Sequence, residues 1–462
     1  MQLLQLRQIS FHYQTAAKPL FDDLDFTLNA GDCQMIHGHT GSGKSTLLKL
    51  ILGVMERPFA GERHCAPQLC LGVVMQDPNV QLLRQTLGAE VAFALENLGV
   101  AATNMHAQVS QALRKVGLFI SLETPIETLS LGQRYRLMIA AQLVLQPDIL
   151  LLDEPWAQLD NQGVQELTVL LAQLQQSGMA IVIVEHHKRA FSSCVTHRWL
   201  LDAGQLHPYQ ENDAELEPAL LGITGGRTKL NASAMQAPVI HAEPFKVGFS
   251  GQPLLFQSAA LRLYPGEIVA LTGDNGTGKS TLLKCLAGIQ ADVGNLGISV
   301  LNQRPKLGVY GHQLALLHQR PSRQLFESSV IEEMQFSLKR YGLPLERAPQ
   351  MLARLGLSAL ASQSPHQLSY GQQHLVALAS LACLQPQILL LDDPFAGLDS
   401  GFFCQVAKLI LTLSEQGCAI VLASHRPLDL LPIDQVWHIS DKRMQCFAGD
   451  GLTQNEAYSR VG

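Results

Sequence analysis

The chain has 462 residues, too many for one ordinary domain, so it holds two or more units that each bury a core. Apolar residues make up 47% and charged residues only 16%, against a usual charged share of about 25%, which leaves a thinly charged surface. A formal net charge of −6 gives no basic footprint for nucleic acid, and no run of about eighteen uncharged apolar residues offers a membrane span.

The N-terminal stretch MQLLQLRQISFHYQ carries Arg7 where a secretory leader needs a continuous apolar run, so the chain is expected to be soluble and to stay in the cytosol. The apolar run DCQMIHG then leads into Gly38, His39, Thr40, Gly41, Ser42, Gly43, Lys44, Ser45 and Thr46, and on into the helical run STLLKLILG. In this GxxxxGKS pattern the glycines let successive backbone N–H groups turn inward at a helix start, forming an anion nest for nucleotide phosphates. Lys44 reaches the β- and γ-phosphates, and the Ser45 hydroxyl is placed to ligate Mg2+. Cys65 and Cys70, beside His64, lack the second Cys/His pair of a structural zinc site and are expected to be ordinary thiols.

Further along, the branched run GVVM ends at Gln76. LSLGQ, with Ser130, Gly132 and Gln133, precedes a helical segment and offers a hydroxyl and N–H groups at a positive helix end, suited to a γ-phosphate. Taken alone it reads as a helix cap. The run ILLLD ends in Asp153, able to hold the water shell of Mg2+, and Glu154 follows, placed for a general base or for polarising the attacking water. AIVIVEH ends at His186, in reach of a γ-phosphate, with the adjacent His187 as the alternative for that place. Residues 222–240, rich in Gly, Ala, Ser and Thr, read as a linker between domains at 1–221 and 241–455, with a tail at 456–462. Extended at about 3.3 Å per residue, that linker spans roughly 60 Å.

The second half copies the first. Phe249 takes the place of Tyr13, and the phosphate loop returns as Gly273, Asp274, Asn275, Gly276, Thr277, Gly278, Lys279, Ser280 and Thr281. Gln319 matches Gln76; Ser369, Gly371 and Gln372 of LSYGQ match the earlier motif; Asp392, Asp393 and His425 complete the set. Ser130 and Ser369, Asp153 and Asp392, and His186 and His425 are all 239 positions apart, whereas Lys44 and Lys279 differ by 235 and Gln76 and Gln319 by 243. Length changes are therefore confined to the segment before LSxGQ. Asp393 stands where the first half has Glu154, and its side chain is roughly 1.5 Å shorter, a displacement that costs about 10²-fold in rate. The second site is expected to be slower. Short branched runs alternating with longer helical segments predict an α/β fold with a parallel sheet, repeated once.

Carrying GxxxxGKS, LSxGQ and the strand-end carboxylates twice, the chain resembles the ATP-binding cassette (ABC) transporter ATPases along nearly its whole length. The resemblance implies two P-loop NTPase domains, each a parallel-sheet core with a helical subdomain, pairing head to tail around ATP. It implies one site of Tyr13 as the adenine platform, the 38–46 loop, Gln76, Asp153, Glu154 and His186, closed by Ser369, Gly371 and Gln372. The second would comprise Phe249, the 273–281 loop, Gln319, Asp392, Asp393 and His425, closed by Ser130, Gly132 and Gln133. Mg2+ falls to Ser45, Gln76 and Asp153 in one and to Ser280, Gln319 and Asp392 in the other. Leu131 and Tyr370 depart from the family, which usually has glycine there.

DPNVQLLRQTLGAEVAFALENLGV, after Gln76, resembles the corresponding stretch of energy-coupling factor transporter ATPases, and RPSRQLFESSVIEEMQFSLKRYGL, after Gln319, matches it less closely. This implies a groove for a short helix of a membrane protein, lined by Val91, Phe93 and Leu95 or by Phe326, Met334 and Phe336. It implies uptake of a vitamin or transition-metal ion at the cytoplasmic membrane face, with separate transmembrane coupling and substrate-binding membrane proteins and no nucleic-acid partner. The competing class, a non-transport cassette protein of translation or DNA repair, ordinarily shows a long basic interdomain segment, a zinc module or a coiled-coil insertion, and the sequence shows none.

Overall fold

The computed structural model of the chain describes residues 1–13, 19–39, 41–76, 78–155, 159, 161–185, 191–209, 237–249, 251, 253–290, 297–398, 400–424, 428 and 431–449. The chain divides into two compact units, Met1–Ala214 and Glu215–Gly462. Most of the expected linker lies outside the described residues, and the second unit's first strand begins at Ile240, one residue before the expected domain start.

In the first unit, strand β1 (Gln2–Phe11) turns Leu4, Leu6, Ile9 and Phe11 inward and pairs antiparallel with β2 (Phe21–Asn29). Its alternation slips at Gln8, whose positive φ of 51° marks a β-bulge. The chain continues through β3 (Cys33–His37), α1 (Lys44–Leu52), β4 (Ala60–Cys65) and β5 (Leu71–Val74). A helical subdomain follows: α2 (Pro78–Gln81), α3 (Leu87–Asn97), α4 (Ala102–Lys115) and α5 (Leu131–Leu143). The core resumes with β6 (Ile149–Asp153), α6 (Asn161–Gln176), β7 (Ala180–Val184), β8 (His197–Asp202) and β9 (Gln205–Pro208).

The main sheet has the order β5-β6-β7-β3-β8-β9, parallel except for β9. Both faces are covered: Met35, Leu150, Leu152 and Ile181 pack into one core, while Ile36, Ile149, Leu151 and Val182 pack into the other. That alternation is why these strands read as continuous apolar runs rather than as half-polar ones. A three-stranded antiparallel sheet, β2-β1-β4, lies in the same unit, which the expectation of a parallel sheet alone had not included.

The second unit runs β10 (Ile240–Ala242), β11 (Phe245–Val247), β12 (Phe256–Ser258), β13 (Leu261–Leu263), β14 (Ile268–Gly273), α7 (Lys279–Leu286), β15 (Ile298–Val300) and β16 (Leu314–Leu317). Its helical subdomain is α8 (Val330–Tyr341), α9 (Arg347–Arg354) and α10 (Tyr370–Ala382). Then come β17 (Ile388–Asp392), α11 (Ser400–Glu415), β18 (Ala419–Ala423), β19 (Gln435–Ser440) and β20 (Arg443–Ala448). The order β16-β17-β18-β14-β19-β20 reproduces the first unit's main sheet strand for strand, and β12 and β11 extend it past β20. A short antiparallel sheet, β13-β10-β15, completes the unit.

The helical subdomains correct one expectation. Val91 and Leu95 share a helix face with Leu87, one turn apart each time, and all three are buried in the core beside α5; Met334 is buried likewise. They do not line a groove. Phe326 and Phe336 are exposed, and Phe93 lies under the Arg84 guanidinium, 4.5 Å from the ring centre. No helix among the described residues is long and apolar enough to cross a membrane.

Candidate functional site

In each unit the central strand, β3 or β14, ends in a glycine-rich loop that starts a helix, so the loop sits at the carboxyl end of a parallel sheet where such folds bind ligands. Gly43 (φ 105°) and Gly278 (φ 104°) cap α1 and α7 in the left-handed region. A Cβ at Gly43 would come within 2.8 Å of the Phe21 ring, so both the backbone and the space require glycine. Lys44 Nζ donates to the carbonyls of Gly38 (2.7 Å) and His39 (3.1 Å), and Lys279 Nζ to those of Gly273 (2.7 Å) and Asp274 (2.8 Å). Each ammonium is thus held at the mouth of its own loop. The Tyr13 hydroxyl lies 3.1 Å from Thr46 Oγ1, which places this aromatic beside the first loop.

In the second unit the predicted residues converge on a cavity of about 290 Å³ lined by Phe249, Asn275, Gly276, Gly278, Lys279, Ser280, Thr281, Gln319, Asp392 and Asp393. Ser280 Oγ donates to Asp392 Oδ1 at 2.9 Å, so a hydroxyl and a carboxylate oxygen stand together on its wall. Hard oxygen donors of this kind suit Mg2+, and the residues present fit the ion. Burial raises the Asp392 carboxyl above its ordinary value; the Ser280 hydrogen bond opposes this and the Asp393 charge adds to it.

The residue after each strand-end aspartate is bent into the left-handed region, Glu154 at φ 48° and Asp393 at φ 53°, and its N–H donates 2.9 Å to the neighbouring strand, at Val184 O or Ala423 O. Strain at a non-glycine residue is held this way where the surrounding structure fixes a functional side chain. The Gln76 amide donates to Glu154 Oε2 at 2.6 Å.

Two further pairs hold the glutamine loops. Gln81 accepts from Met75 N–H (2.7 Å) and donates to Val73 O (2.8 Å), and Gln324 treats His318 N–H (2.8 Å) and Leu316 O (2.9 Å) in the same way. The buried Glu90 accepts from the N–H groups of Leu83 and Arg84, and Glu333 from those of Phe326 and Glu327. Sequence reasoning missed these four residues, although they recur at the same 243-residue offset as Gln76 and Gln319.

Ser130 and Ser369 cap α5 and α10. Each hydroxyl accepts from the N–H of Gln133 or Gln372 (3.2 and 3.3 Å), and each glutamine accepts from the serine N–H (2.9 and 3.0 Å), a reciprocal capping box. Among the described residues each hydroxyl only accepts, which leaves its proton for an incoming acceptor. Leu131 and Tyr370 have no positive φ, so the backbone at that position makes no demand for glycine. Gly132 and Gly371 follow in the first turn, and a Cβ at Gly371 would strike the Phe402 ring. Thr40, His186 and His425 lie outside the described residues.

A loop of this kind at the end of a central parallel strand, followed by strand-end carboxylates, defines a P-loop ATPase, and the chain holds two. The family described as ABC transporter matches residues 21–157 and 256–396, more than half of the chain, and the chain belongs to it. Its two cassettes are ATP-binding, and the protein is an ATPase. It is 27% identical to a Bacillus subtilis protein provisionally named HMP/thiamine import ATP-binding protein YkoD, across 92% of this chain and 87% of that one. It is 26% identical to a Methanosarcina acetivorans protein provisionally named ABC transporter ATP-binding protein, across 92% and 86%. Among solved structures, ribosome-bound archaeal Pelota and ABCE1 matches with a TM-score of 0.72 at 16% identity, over 98% of this chain and 80% of that one. RNase-L Inhibitor matches with 0.65 at 17%, over 98% and 93%. These structural likenesses show the tandem-cassette fold.

Proposed function

We propose that this chain is the energy-coupling ATPase of a membrane transporter of the energy-coupling factor type, driving uptake of a vitamin or transition-metal ion through separate transmembrane coupling and substrate-binding proteins at the cytoplasmic membrane face. The observation that carries this is a pair of apolar side chains left in water at matching places. Leu83 is 66% exposed and Phe326 71%, 243 residues apart, each just past a glutamine loop. In the first cassette a groove of about 470 Å³ opens beside Leu83, lined by Pro78, Leu82, Pro125 and Ile126 together with the polar Arg84, Gln85, Glu127 and Arg134. An apolar residue beside such a groove suits a helix of a membrane partner. The end-to-end likeness to a protein named for HMP/thiamine import agrees with a vitamin as cargo.

In this reading ATP on the 38–46 loop is closed by Ser369, Gly371 and Gln372, and ATP on the 273–281 loop by Ser130, Gly132 and Gln133. Tyr13 and Phe249 stack on adenine, and His186 and His425 hydrogen-bond the γ-phosphate. Ser45, Gln76 and Asp153, and Ser280, Gln319 and Asp392, hold Mg2+, which when bound neutralises charge on the transferring phosphoryl group. Glu154 polarises the attacking water, and the shorter Asp393 does so less well. The γ-phosphate makes these contacts only in the closed state, so binding shifts the population toward closure and hydrolysis reverses it.

Extraction in mild detergent tests the reading: a membrane subunit should co-purify with the chain. Recovery of ribosomes or DNA instead would overturn it in favour of a translation or repair protein, a class for which the likeness to ABCE1 speaks only to fold.

A further inference from the structure

Tyr370 is the first residue of α10 and departs from the glycine usual at that place of LSxGQ. Its hydroxyl donates to the backbone carbonyl of Gln319 across 3.5 Å, joining the helix start to the glutamine loop of the same cassette. That bond is long for a hydroxyl donor and has room to shorten. The ring lies 6.1 Å from that of His374, one helical turn on. The helix packs on the turn Pro321–Gln324, just past Gln319, and Gln324 holds the backbone on the other side of that residue, at His318 and Leu316. In the first cassette Leu131 takes the place of Tyr370, and with no hydroxyl it cannot make this bond.

The two ends of this bond belong to different nucleotides in the proposed pairing. Gln319 lines the second cavity with Ser280, Asp392 and Asp393. Ser369, the residue before Tyr370 and the cap of α10, closes the ATP on the 38–46 loop. A nucleotide that draws Gln319 inward shifts its carbonyl, and the hydroxyl bonded to it carries the start of α10 along. An unbroken contact between two sites lets the state of one bias the other.

We propose that Tyr370 is a positioning residue that couples the two ATP sites: with nucleotide on the 273–281 loop, its bond to Gln319 tightens, sets the Ser369 end of α10 and strengthens the hold on ATP at the 38–46 loop. The inference rests on the reading that Ser369 closes the first site. Leu131 leaves LSLGQ without this link, so a single side chain carries it.

Calorimetric titration of the full-length chain with Mg2+ and a non-hydrolysable ATP analogue tests it. Affinity at the first loop is measured with the second loop intact and with it disabled by Lys279→Ala, and the ratio of the two is the coupling between the sites. Tyr370→Phe keeps the ring and removes only the hydroxyl, on a residue 37% exposed, so the fold is preserved. It should shrink the ratio about fivefold, as loss of one hydrogen bond does, and leave affinity in the Lys279→Ala chain within about twofold. Tyr370→Leu, which copies LSLGQ, should behave as Tyr370→Phe does. A ratio that stays the same or grows overturns the proposal. An equal loss of affinity in both backgrounds overturns it too, since the ring would then touch the nucleotide directly. If Ser369→Ala weakens binding at the first loop while Tyr370→Phe leaves the ratio alone, this inference alone falls. If Ser369→Ala changes nothing there, the closure by Ser369 falls and takes this inference with it.

Discussion

Gln76 donates its side-chain amide to Glu154 Oε2 across 2.6 Å, tying the loop after β5 to the residue that follows β6. That bond holds the carboxylate proposed to polarise the attacking water. Glu154→Gln should therefore nearly abolish steady-state hydrolysis while equilibrium titration still finds ATP bound. Asp393→Asn should do far less, because the carboxylate it replaces is already roughly 1.5 Å short of its counterpart. Comparable losses in the two variants would defeat the inequality between the sites.

Lys44 is buried, with its ammonium on the carbonyls of Gly38 and His39. Lys44→Ala removes the cation of the first loop and should weaken nucleotide binding there by roughly tenfold or more, as expected for loss of charge-assisted hydrogen bonds to phosphate. Titration with a fluorescent ATP analogue measures it, and unchanged affinity at that loop counts against its role.

Leu95 and Leu83 lie in the same subdomain with opposite duties. Leu95→Ala opens a cavity in the core and should cost about 3 kcal/mol, read from the denaturant midpoint. Leu83→Ser exposes nothing new and should change stability by less than about 0.5 kcal/mol. Combined with Phe326→Ser, it should abolish recovery of the membrane subunit. Intact co-purification would place the docking surface elsewhere.

His374 gives a pH signature. Burial lowers its imidazole from 6.5 to about 4, with the Asp393 charge opposing the shift. Between those values the unfolded chain binds the proton and the folded chain does not, so the stability carried by the neutral ring is present above pH 6.5 and is lost as pH falls toward 4. The whole swing is about 3 kcal/mol. His374→Leu should lose that much less between pH 7 and pH 4 in urea unfolding. Parallel acid limbs would show that the ring does not titrate as its burial demands.

Most of the main sheets and both phosphate loops were legible because their signals are local. A run such as ILLLD can bury both faces only as an inner parallel strand, and GxxxxGKS carries its own backbone geometry. Strands β10, β13 and β15, three residues each, are too short to show a period, so the sheet they form was invisible. Val91 and Leu95 were assigned to a groove because an apolar helix face reads the same whether it meets a core or a partner. Tyr135 and His374 gave no signal as single residues, since only the packing of α5 and α10 shows that their polar atoms are buried without partners among the described residues.

The outer strands of the two main sheets, β5, β9, β11 and β16, are three or four residues long, and β9 ends in Pro208. Such brief borders expose few unpaired amides to a stray chain and give little template for edge-to-edge aggregation. Each half is thus equipped to remain monodisperse by itself, and a gene cut within 210–236 should yield two fragments that can be purified apart and mixed.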